Sequence, residues 1–288
     1  MIAEPSRTNP RRAPGAGPWS FLGLALAFSW LFWVPAALIG RDIWAGPQVW
    51  LLYIGGLGPT AAALLLLYVA GSPAQRRDYW RRVFDYRRIR GGWQAAVWLT
   101  WPGLRLLALL LAVLATGATP DLSLLRELLS APGWLLAQLL FWLVFGPIPE
   151  ELGWRGYALD RLQSRFDALT SSLILGAVWA TWHLPLFFIR GTYQHSEVGL
   201  GSAWFWLFVV NLIAGSILYT WVYNNTGRSI LSAILFHFMT NAAGEMLPLS
   251  LQGEYINAAL AIAAATTVTL VWGRQTLARR AHFRTHSR

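Results

Sequence analysis

The sequence predicts an all-α, polytopic membrane protein with about eight transmembrane helices. Three observations predict this class: a strongly apolar composition, eight stretches long and apolar enough to cross a bilayer, and basic residues gathered in alternate connecting segments. Of the 288 residues, 56% are hydrophobic and 12% are charged, whereas a soluble domain carries roughly 25% charged residues. This composition excludes a disordered chain and an ordinary soluble enzyme, and the lack of cysteine excludes a disulfide-stapled secreted domain.

Each predicted span rests on an apolar run of about 20 residues, the length that crosses a bilayer core. The first run follows a Pro- and Arg-rich tail. It is longer than the roughly 7–15 residues of a signal-peptide core and has no small-residue cleavage site after it, so we interpret it as a retained helix. The fourth is the least regular, because Gly-Pro-Ile-Pro at 146–149 is typical of a kink or an interruption. The predicted spans are 19–39, 47–70, 93–116, 134 onwards, 170–189, 204–223, 229–247 and 255–272.

The chain is interpreted as one membrane-embedded domain. It covers residues 19–273, between a disordered basic tail at 1–18 and a second basic tail at 274–288. The residues that carry chemistry all fall in a core at 134–247. The sequence shows no internal repeat, no large soluble domain and no P-loop or dinucleotide-binding fingerprint.

The arginine distribution predicts that both termini face the cytoplasm. The loop after the second span holds seven arginines against two aspartates, whereas the loops on the other side hold few basic residues. By the positive-inside rule the arginine-rich loops are cytoplasmic. The net charge of +10 is therefore a topology signal and a contact for membrane lipids, and we expect no nucleic-acid binding.

Ionisable side chains inside spans are informative, because each costs about 2.5 kcal/mol or more on insertion scales. Glu150 and Glu151 follow the apolar half of the fourth span, and Arg155 lies four residues after Glu151, on the same helical face. Glu150 is turned about 100° away from Glu151. One acid is then neutralised by the arginine while the other points into a cavity; ordinary surface charges at the membrane boundary are the alternative.

Three further polar residues lie within later spans. His183 is predicted well inside the fifth span, and His237 and Asn241 lie four residues apart on one face of the seventh. Helix-packing hydrogen bonds are the alternative role for each. Arg105, in the third span, has no partner in the sequence and no assigned role.

Together, these groups are the types of side chain that a hydrolase uses to activate water. A bundle must bring such residues together or leave them unpaired at high cost. A carboxylate can act as a base, imidazoles can position water, and an amide can donate to an oxyanion. Glu150, His183 and His237 are also a common catalytic zinc set, so a metal site stays open at this point.

Three motifs in order resemble the type II CAAX prenyl proteases and bacteriocin-processing or immunity proteins, the CPBP (ABI) family of intramembrane glutamic proteases. The spacings from the first motif to the second and third also suit that family. The motif positions are Glu150, Glu151 and Arg155 for E-E-x-x-x-R, Trp179 and His183 for F-x-x-x-H, and His237 and Asn241 for H-x-x-x-N.

The resemblance implies an eight-helix fold around a polar cavity that faces the cytoplasm. It implies that Glu150 is the general base and that His183 helps to hold the attacking water. Glu151 and Arg155 support the site. His237 with Asn241 would stabilise the oxyanion. Trp179 stands where the family motif has phenylalanine, and this aromatic replacement is expected to affect the shape of the pocket more than the chemistry.

The resemblance also favours a mechanism without metal or other cofactor. The chain lacks H-E-x-x-H, and the three candidate ligands come from three helices, so no local spacing indicates zinc. Zinc held by Glu150, His183 and His237 is kept as the alternative.

The expected substrate is a membrane-associated peptide or protein, including the C-terminal region of a lipidated, CAAX-like protein. The arginine and alanine bias suggests a multi-pass protein of a bacterial plasma membrane, where a bacteriocin, signal or self-immunity peptide is the better expectation. Two other functions stay open: a non-catalytic membrane immunity or binding protein, and a small transporter. Against a transporter, the polar residues cluster late in a chain without repeats.

Overall fold

The structure, a computed structural model, describes residues 17–278, and all its regular elements are helices. Most of both predicted tails, residues 1–16 and 279–288, lies outside the described residues. The α-helices are α1 Pro18–Ile39, α2 Val49–Gly56, α3 Gly58–Ala70, α4 Pro73–Phe84, α5 Gly92–Thr116, α6 Ser123–Ser130, α7 Pro132–Val144, α8 Pro147–Gly153, α9 Leu159–Gln163, α10 Ala168–Trp182, α11 Ala203–Asn225, α12 Ile230–Met246 and α13 Leu251–Trp272. This all-α, multi-pass architecture confirms the predicted fold class.

By length and composition, the described residues contain six helices that can cross a membrane, or seven if the bent pair α2–α3 counts as one span. The continuous stretch Pro132–Gln163 is one of the six. The predicted seventh span is helix α12, whose 17 residues make it about 26 Å long, against a hydrocarbon core of about 30 Å. The predicted count of eight is therefore not confirmed.

Two predicted spans are not continuous helices. The second bends by 44° at Leu57, between α2 and α3. Pro59 lacks a backbone N–H to continue the helical bonding there. The fifth stops as an α-helix at Trp182 and continues as a 3₁₀ turn, Leu184–Phe188, which contains Pro185. His183 therefore lies where the α-helix ends, and it is inside the span Ala168–Phe188.

The fourth span is interrupted, as its Gly-Pro-Ile-Pro segment suggested. Helix α7 ends at Val144, and α8 begins at Pro147, the favoured position for a proline at a helix start. A wide π-helical turn, Trp154–Ala158, follows α8 and leads into α9. Single π-helical turns are frequent at functional sites.

Small residues bring α8 against α3. A methyl group on Gly153 would lie about 2.5 Å from the backbone carbonyl of Pro59, so only glycine allows this approach. Thr60 Oγ1 also donates a 2.6 Å hydrogen bond to the Pro149 carbonyl oxygen. These contacts fix the backbone on both sides of Glu150.

The connecting segments fall at two opposite ends of the bundle, because successive spans run in opposite directions. We call one end the arginine-rich side; it comprises the described segments 71–91, 164–167, 226–229 and 273–278. Hydrogen bonds join these segments, such as Ala168 N to Gln275 O (3.0 Å) and Arg88 Nη1 to Gly227 O (2.6 Å). The opposite side comprises 40–48, 117–131, 189–202 and 247–250, where Ile43 N donates to Arg190 O at 2.9 Å.

Candidate active site

Helix α8 and the π-helical turn bury the first group of predicted residues. Glu151 and Arg155 are fully inaccessible and Glu150 is 8% exposed. Arg155 Nη1 donates to both carboxylate oxygens of Glu151, at 2.8 and 3.1 Å. This is the pairing expected from their spacing.

Arg155 is also held by contacts outside its own segment. Its guanidinium carbon lies 4.3 Å from the ring centroid of Tyr219 and 4.9 Å from that of Trp179, and Nη2 donates to Ser216 Oγ at 3.3 Å. A guanidinium over an aromatic face is attracted by the ring quadrupole. Arg155 is thereby fixed between α8, α10 and α11 and serves Glu151 as a buried counter-ion.

Glu150 has a different partner. The indole Nε1–H of Trp179 donates to Glu150 Oε2 at 2.6 Å, and both residues line the cavity described below. A phenylalanine at this position could not make the bond. The replacement in the F-x-x-x-H motif therefore adds a hydrogen-bond donor to the glutamate, in addition to the expected change of shape.

His183 follows Trp179 by one helical turn and caps the end of α10. Its Nδ1 lies 2.8 Å from the Trp179 carbonyl oxygen. A carbonyl only accepts, so Nδ1 must carry the proton, and Nε2 of the neutral imidazole is an acceptor. His183 is 8% exposed and lines the cavity, where Nε2 can accept a hydrogen bond from water.

His237, on α12, is bound to the first group. Its Nδ1 lies 3.0 Å from Glu151 Oε1, so Glu151 joins Arg155 and His237. The carboxylate accepts, which makes Nδ1 the donor and leaves Nε2 for a substrate. Asn241 lies one helical turn further along α12, and both residues line the same cavity.

All these groups meet at a cavity of about 980 Å³. Glu150, Trp179, His183, His237 and Asn241 line its deep part, whereas Glu151 and Arg155 lie behind the wall. The cavity also reaches segments of the opposite side, at Trp44, Tyr193, Glu197 and Pro248, and the adjoining first turn of α2, at Trp50. The two expectations of a cytoplasm-facing cavity and cytoplasmic termini are therefore incompatible, because the cavity and the described chain ends lie toward different sides.

Two features of the site lay beyond the sequence reasoning. Tyr219, on α11, packs against Arg155, and its hydroxyl and that of Thr240 are hydrogen-bonded at 2.8 Å. Arg105 has a partner after all, since Nη1 donates to Glu254 Oε1 at 2.6 Å and Nε to the Leu247 carbonyl at 2.8 Å. No local spacing signals a pair 149 residues apart.

The alternative zinc set does not fit this arrangement. Across residues 17–278, no three His, Cys, Asp or Glu side chains converge closely enough to hold a metal ion. We therefore route no step of the reaction through a metal.

An all-helical membrane bundle that places an acid, two imidazoles and an amide around one cavity fits a membrane-embedded peptidase, a hydrolase of peptide bonds. Comparison with known proteins shows which proteins the chain resembles. Residues 132–243 match the family model described as type II CAAX prenyl endopeptidase, Rce1-like. A protein of Methanococcus maripaludis named CAAX prenyl protease 2 is 27% identical over 244 residues, which cover 84% of this chain and 89% of that protein. The chain is therefore similar to type II CAAX prenyl endopeptidases, and this similarity indicates a peptidase, a hydrolase.

Proposed function

We propose that the protein is an intramembrane endopeptidase in which Glu150 activates the attacking water. The observation that carries this proposal is the different surroundings of two adjacent acids. Glu151 is held by Arg155 and His237 behind the cavity wall, whereas Glu150 lines the cavity and accepts one indole hydrogen bond. A general base needs a carboxylate oxygen within reach of water, and Glu150 meets that need.

The proposed reaction uses these residues as follows. Glu150 accepts a proton from a water molecule that also donates to Nε2 of His183, and the water oxygen attacks the carbonyl carbon of the peptide bond. The oxyanion is stabilised by the amide of Asn241 and by His237, whose ring is oriented by Glu151. The C–N bond then breaks as Glu150 returns the proton to the leaving amine. Attack by water forms no acyl-enzyme, so the chain needs no cysteine or serine nucleophile.

The proposed substrate is a membrane-associated peptide or protein. Glu150, Trp179 and His183 lie within stretches that are long and apolar enough to cross the membrane, so the scissile segment must be held at the bilayer. The relative from Methanococcus maripaludis is named for CAAX prenyl proteins, which makes a C-terminally lipidated peptide one substrate to test. Membrane lipids are the other expected partners, through the exposed apolar helix surfaces.

The test is cleavage of a pool of fluorogenic peptides, some with a farnesylated C-terminal cysteine, by the detergent-solubilised protein. Glu150→Gln keeps the shape of the side chain but removes the base, and we expect it to lower kcat by about 10²–10⁴-fold. Glu127→Gln, an exposed acid on α6, is the matched control and should retain full activity. We expect a chelator to leave cleavage unchanged.

Two outcomes would contradict parts of the proposal. Loss of cleavage with chelator and recovery with zinc would overturn the metal-free mechanism. Full activity of Glu150→Gln, in cleavage or in a biological assay, would overturn the catalytic role of Glu150 and favour a non-catalytic binding protein.

A further inference from the structure

Helix α4 lies along the membrane boundary and does not cross the bilayer. Its N-cap, Ser72, follows the end of α3 by two residues, and four of its 12 residues are arginines, too many for a span. Trp80 Nε1 donates to the Tyr68 hydroxyl at 3.1 Å, and Tyr68 and Val69, in the last turn of α3, are at least half exposed. Helix α4 therefore folds back against α3 at the level where the lipid-facing surface of that span ends.

The inner face of α4 packs onto the bundle. Tyr79, Arg82 and Val83 are at most 8% exposed. The Arg82 guanidinium is paired with Asp78 at 2.9 Å and with Asp160 at 3.1 Å. This face is therefore occupied by partners within the protein.

The outer face of α4 combines free cations with exposed aromatic rings. Four residues stand at positions i, i+3, i+4 and i+7, which form one stripe along a helix. Phe84 is 72% exposed, and its ring stacks on that of Trp80 with the centroids 5.9 Å apart. Within residues 17–278, the guanidinium groups of Arg77 and Arg81 have neither an acidic nor a hydrogen-bond partner. We call this set the α4 stripe; it consists of Arg77, Trp80, Arg81 and Phe84.

Arginines and exposed aromatic rings on one helical face are typical of a helix that binds at a lipid surface. A guanidinium pairs with phosphate oxygens, and aromatic rings lie at the level of the headgroups. A soluble anion would leave Phe84 in water, whereas an acyl chain alone would leave Arg77 and Arg81 unpaired. An anionic phospholipid satisfies both kinds of group.

Helix α4 also contacts the segment that carries the glutamates. The Tyr79 hydroxyl donates to the Leu152 carbonyl oxygen of α8 at 2.8 Å. A methyl group on Gly156, in the π-helical turn, would lie 3.0 Å from the Tyr79 ring, so the two segments are in close contact there as well. A displacement of α4 therefore displaces the backbone next to Glu150.

We propose that the α4 stripe binds an anionic phospholipid, with Arg77 and Arg81 on the phosphate and the two rings beside it, and that the bound lipid holds α4 against α8. The binding surface stands on the contacts of α4 alone, whereas its effect on cleavage rests on the proposed function. A zwitterionic phospholipid gains less from the two arginines, because its own cation offsets the phosphate charge.

The test of binding is native mass spectrometry of the detergent-solubilised protein, titrated with dioleoylphosphatidylglycerol or dioleoylphosphatidylcholine. One arginine near an anionic surface strengthens binding about fivefold. We therefore expect the double variant Arg77→Gln, Arg81→Gln to bind phosphatidylglycerol roughly 25-fold more weakly and phosphatidylcholine as the wild type does. The matched control is Arg41→Gln, Arg126→Gln, which removes two exposed arginines from the opposite side and should bind phosphatidylglycerol like the wild type.

Three results would overturn the binding surface. The first is equal loss of phosphatidylglycerol binding in both double variants, or no loss in either. The second is a wild-type affinity for phosphatidylglycerol that stays the same from about 0.1 M to about 1 M salt, where exposed charges are strongly screened. The third is inorganic phosphate that raises the wild-type melting temperature as much as phosphatidylglycerol does at the same concentration, because the ligand would then be a free anion.

Cleavage in mixed micelles tests the effect on α8. We expect phosphatidylglycerol to raise the wild-type kcat severalfold and phosphatidylcholine to leave it unchanged. Tyr79→Phe removes the bond to Leu152 but keeps the α4 stripe, so it should bind phosphatidylglycerol normally and respond to it less. A kcat that phosphatidylglycerol raises equally in the wild type and in Arg77→Gln, Arg81→Gln would refute the link to α8. The expected binding pattern without any cleavage would leave the surface standing and count against the proposed function.

Discussion

At the scale of residues, two adjacent glutamates differ because each is bound by different neighbouring side chains. Glu150 and Glu151 are neighbours in the chain, yet Arg155 and His237 hold one carboxylate and Trp179 holds the other. The Trp179 indole engages only Oε2 of Glu150. It fixes the carboxylate plane and leaves Oε1 for water, so we interpret Trp179 as a positioning residue for the base.

The Trp179→Phe variant tests this interpretation. It keeps an aromatic ring beside Arg155 but removes a hydrogen bond to a charged group, worth about 1.5–3 kcal/mol. If the hydrogen bond stabilises the transition state more than the bound substrate by this amount, kcat falls roughly 10–100-fold while KM changes little. The measurement is a steady-state comparison on the best peptide substrate.

A second indole on the same helix provides the control. Trp182 Nε1 donates to Ser29 Oγ of α1 at 2.6 Å, an equally short bond directed toward a different helix. Trp182→Phe should lower thermal stability and lower kcat less than Trp179→Phe does, because Trp182 lines the cavity but makes no bond to Glu150. An unchanged kcat in Trp179→Phe, or equal losses in both variants, would contradict the positioning role.

At the scale of elements, close helix contacts and caps hold the catalytic segment in place. Helix α8 carries both glutamates but has only seven residues, too few to be stable without its neighbours. Its position depends on the contact with α3 at Gly153 and on the helices that follow it. Changes at these supports should therefore affect activity without touching the cavity.

Gly153→Ala is expected to push α8 away from α3 and so to displace Glu150 without changing a residue that lines the cavity. The added methyl group would meet the Pro59 backbone at about 2.5 Å, and overpacking of this kind costs about 1–3 kcal/mol. We expect a lower melting temperature in detergent and reduced cleavage. Gly23→Ala in α1 is the control, because a methyl group there meets nothing within 4 Å. Wild-type stability and activity in Gly153→Ala would contradict the close contact.

The N-terminal cap of α10 predicts a pH dependence of stability. Asp167 Oδ1 accepts from the Thr170 amide at 2.7 Å, and Oδ2 accepts from Arg274 Nη2 at 2.7 Å. The Thr170 hydrogen bond and then Arg274 lower the pKa of Asp167 below its usual 3.8. Because the pKa of Asp167 is lower in the folded than in the unfolded protein, its ionised form stabilises the fold at any pH above the unfolded-state pKa. This stabilisation is lost as the pH falls through the folded-state pKa.

The measurement is the melting temperature of wild type, Asp167→Asn and Asp167→Ala from about pH 7 to about pH 2. Loss of an N-cap costs about 0.5–2 kcal/mol, and asparagine caps as well as aspartate. We expect only the alanine variant to melt clearly lower at neutral pH. The difference in melting temperature between wild type and Asp167→Ala should become smaller as the pH falls. The difference between Asp167→Asn and Asp167→Ala should stay constant. If the difference in melting temperature between wild type and Asp167→Ala does not change with pH, the charge of Asp167 does not contribute to stability.

At the scale of the whole molecule, the apolar runs predicted where the chain crosses the membrane but not where each helix breaks. The first, third, sixth and eighth spans match α1, α5, α11 and α13 within a few residues. Hydropathy does not register a proline within an apolar run, so the bend before Pro59 and the helix end before Pro185 were missed. Motif spacing predicted which residues share the site, whereas the Trp179–Glu150 bond depends on how α10 packs against α8. The side on which the cavity opens also required the fold.

The size of the cavity bears on how a substrate must be presented. About 980 Å³ is at the upper end of the range for small-ligand pockets, roughly 300–1,000 Å³. An α-helix with its side chains is about 10–12 Å wide and encloses its own peptide bonds in hydrogen bonds. Under the proposed function, we infer that such a pocket takes a short extended strand of peptide, so that a helical substrate has to unwind before its carbonyl reaches Glu150. The local helix stability of the substrate then sets part of the cleavage rate, and glycine or proline near the scissile bond becomes a determinant of specificity.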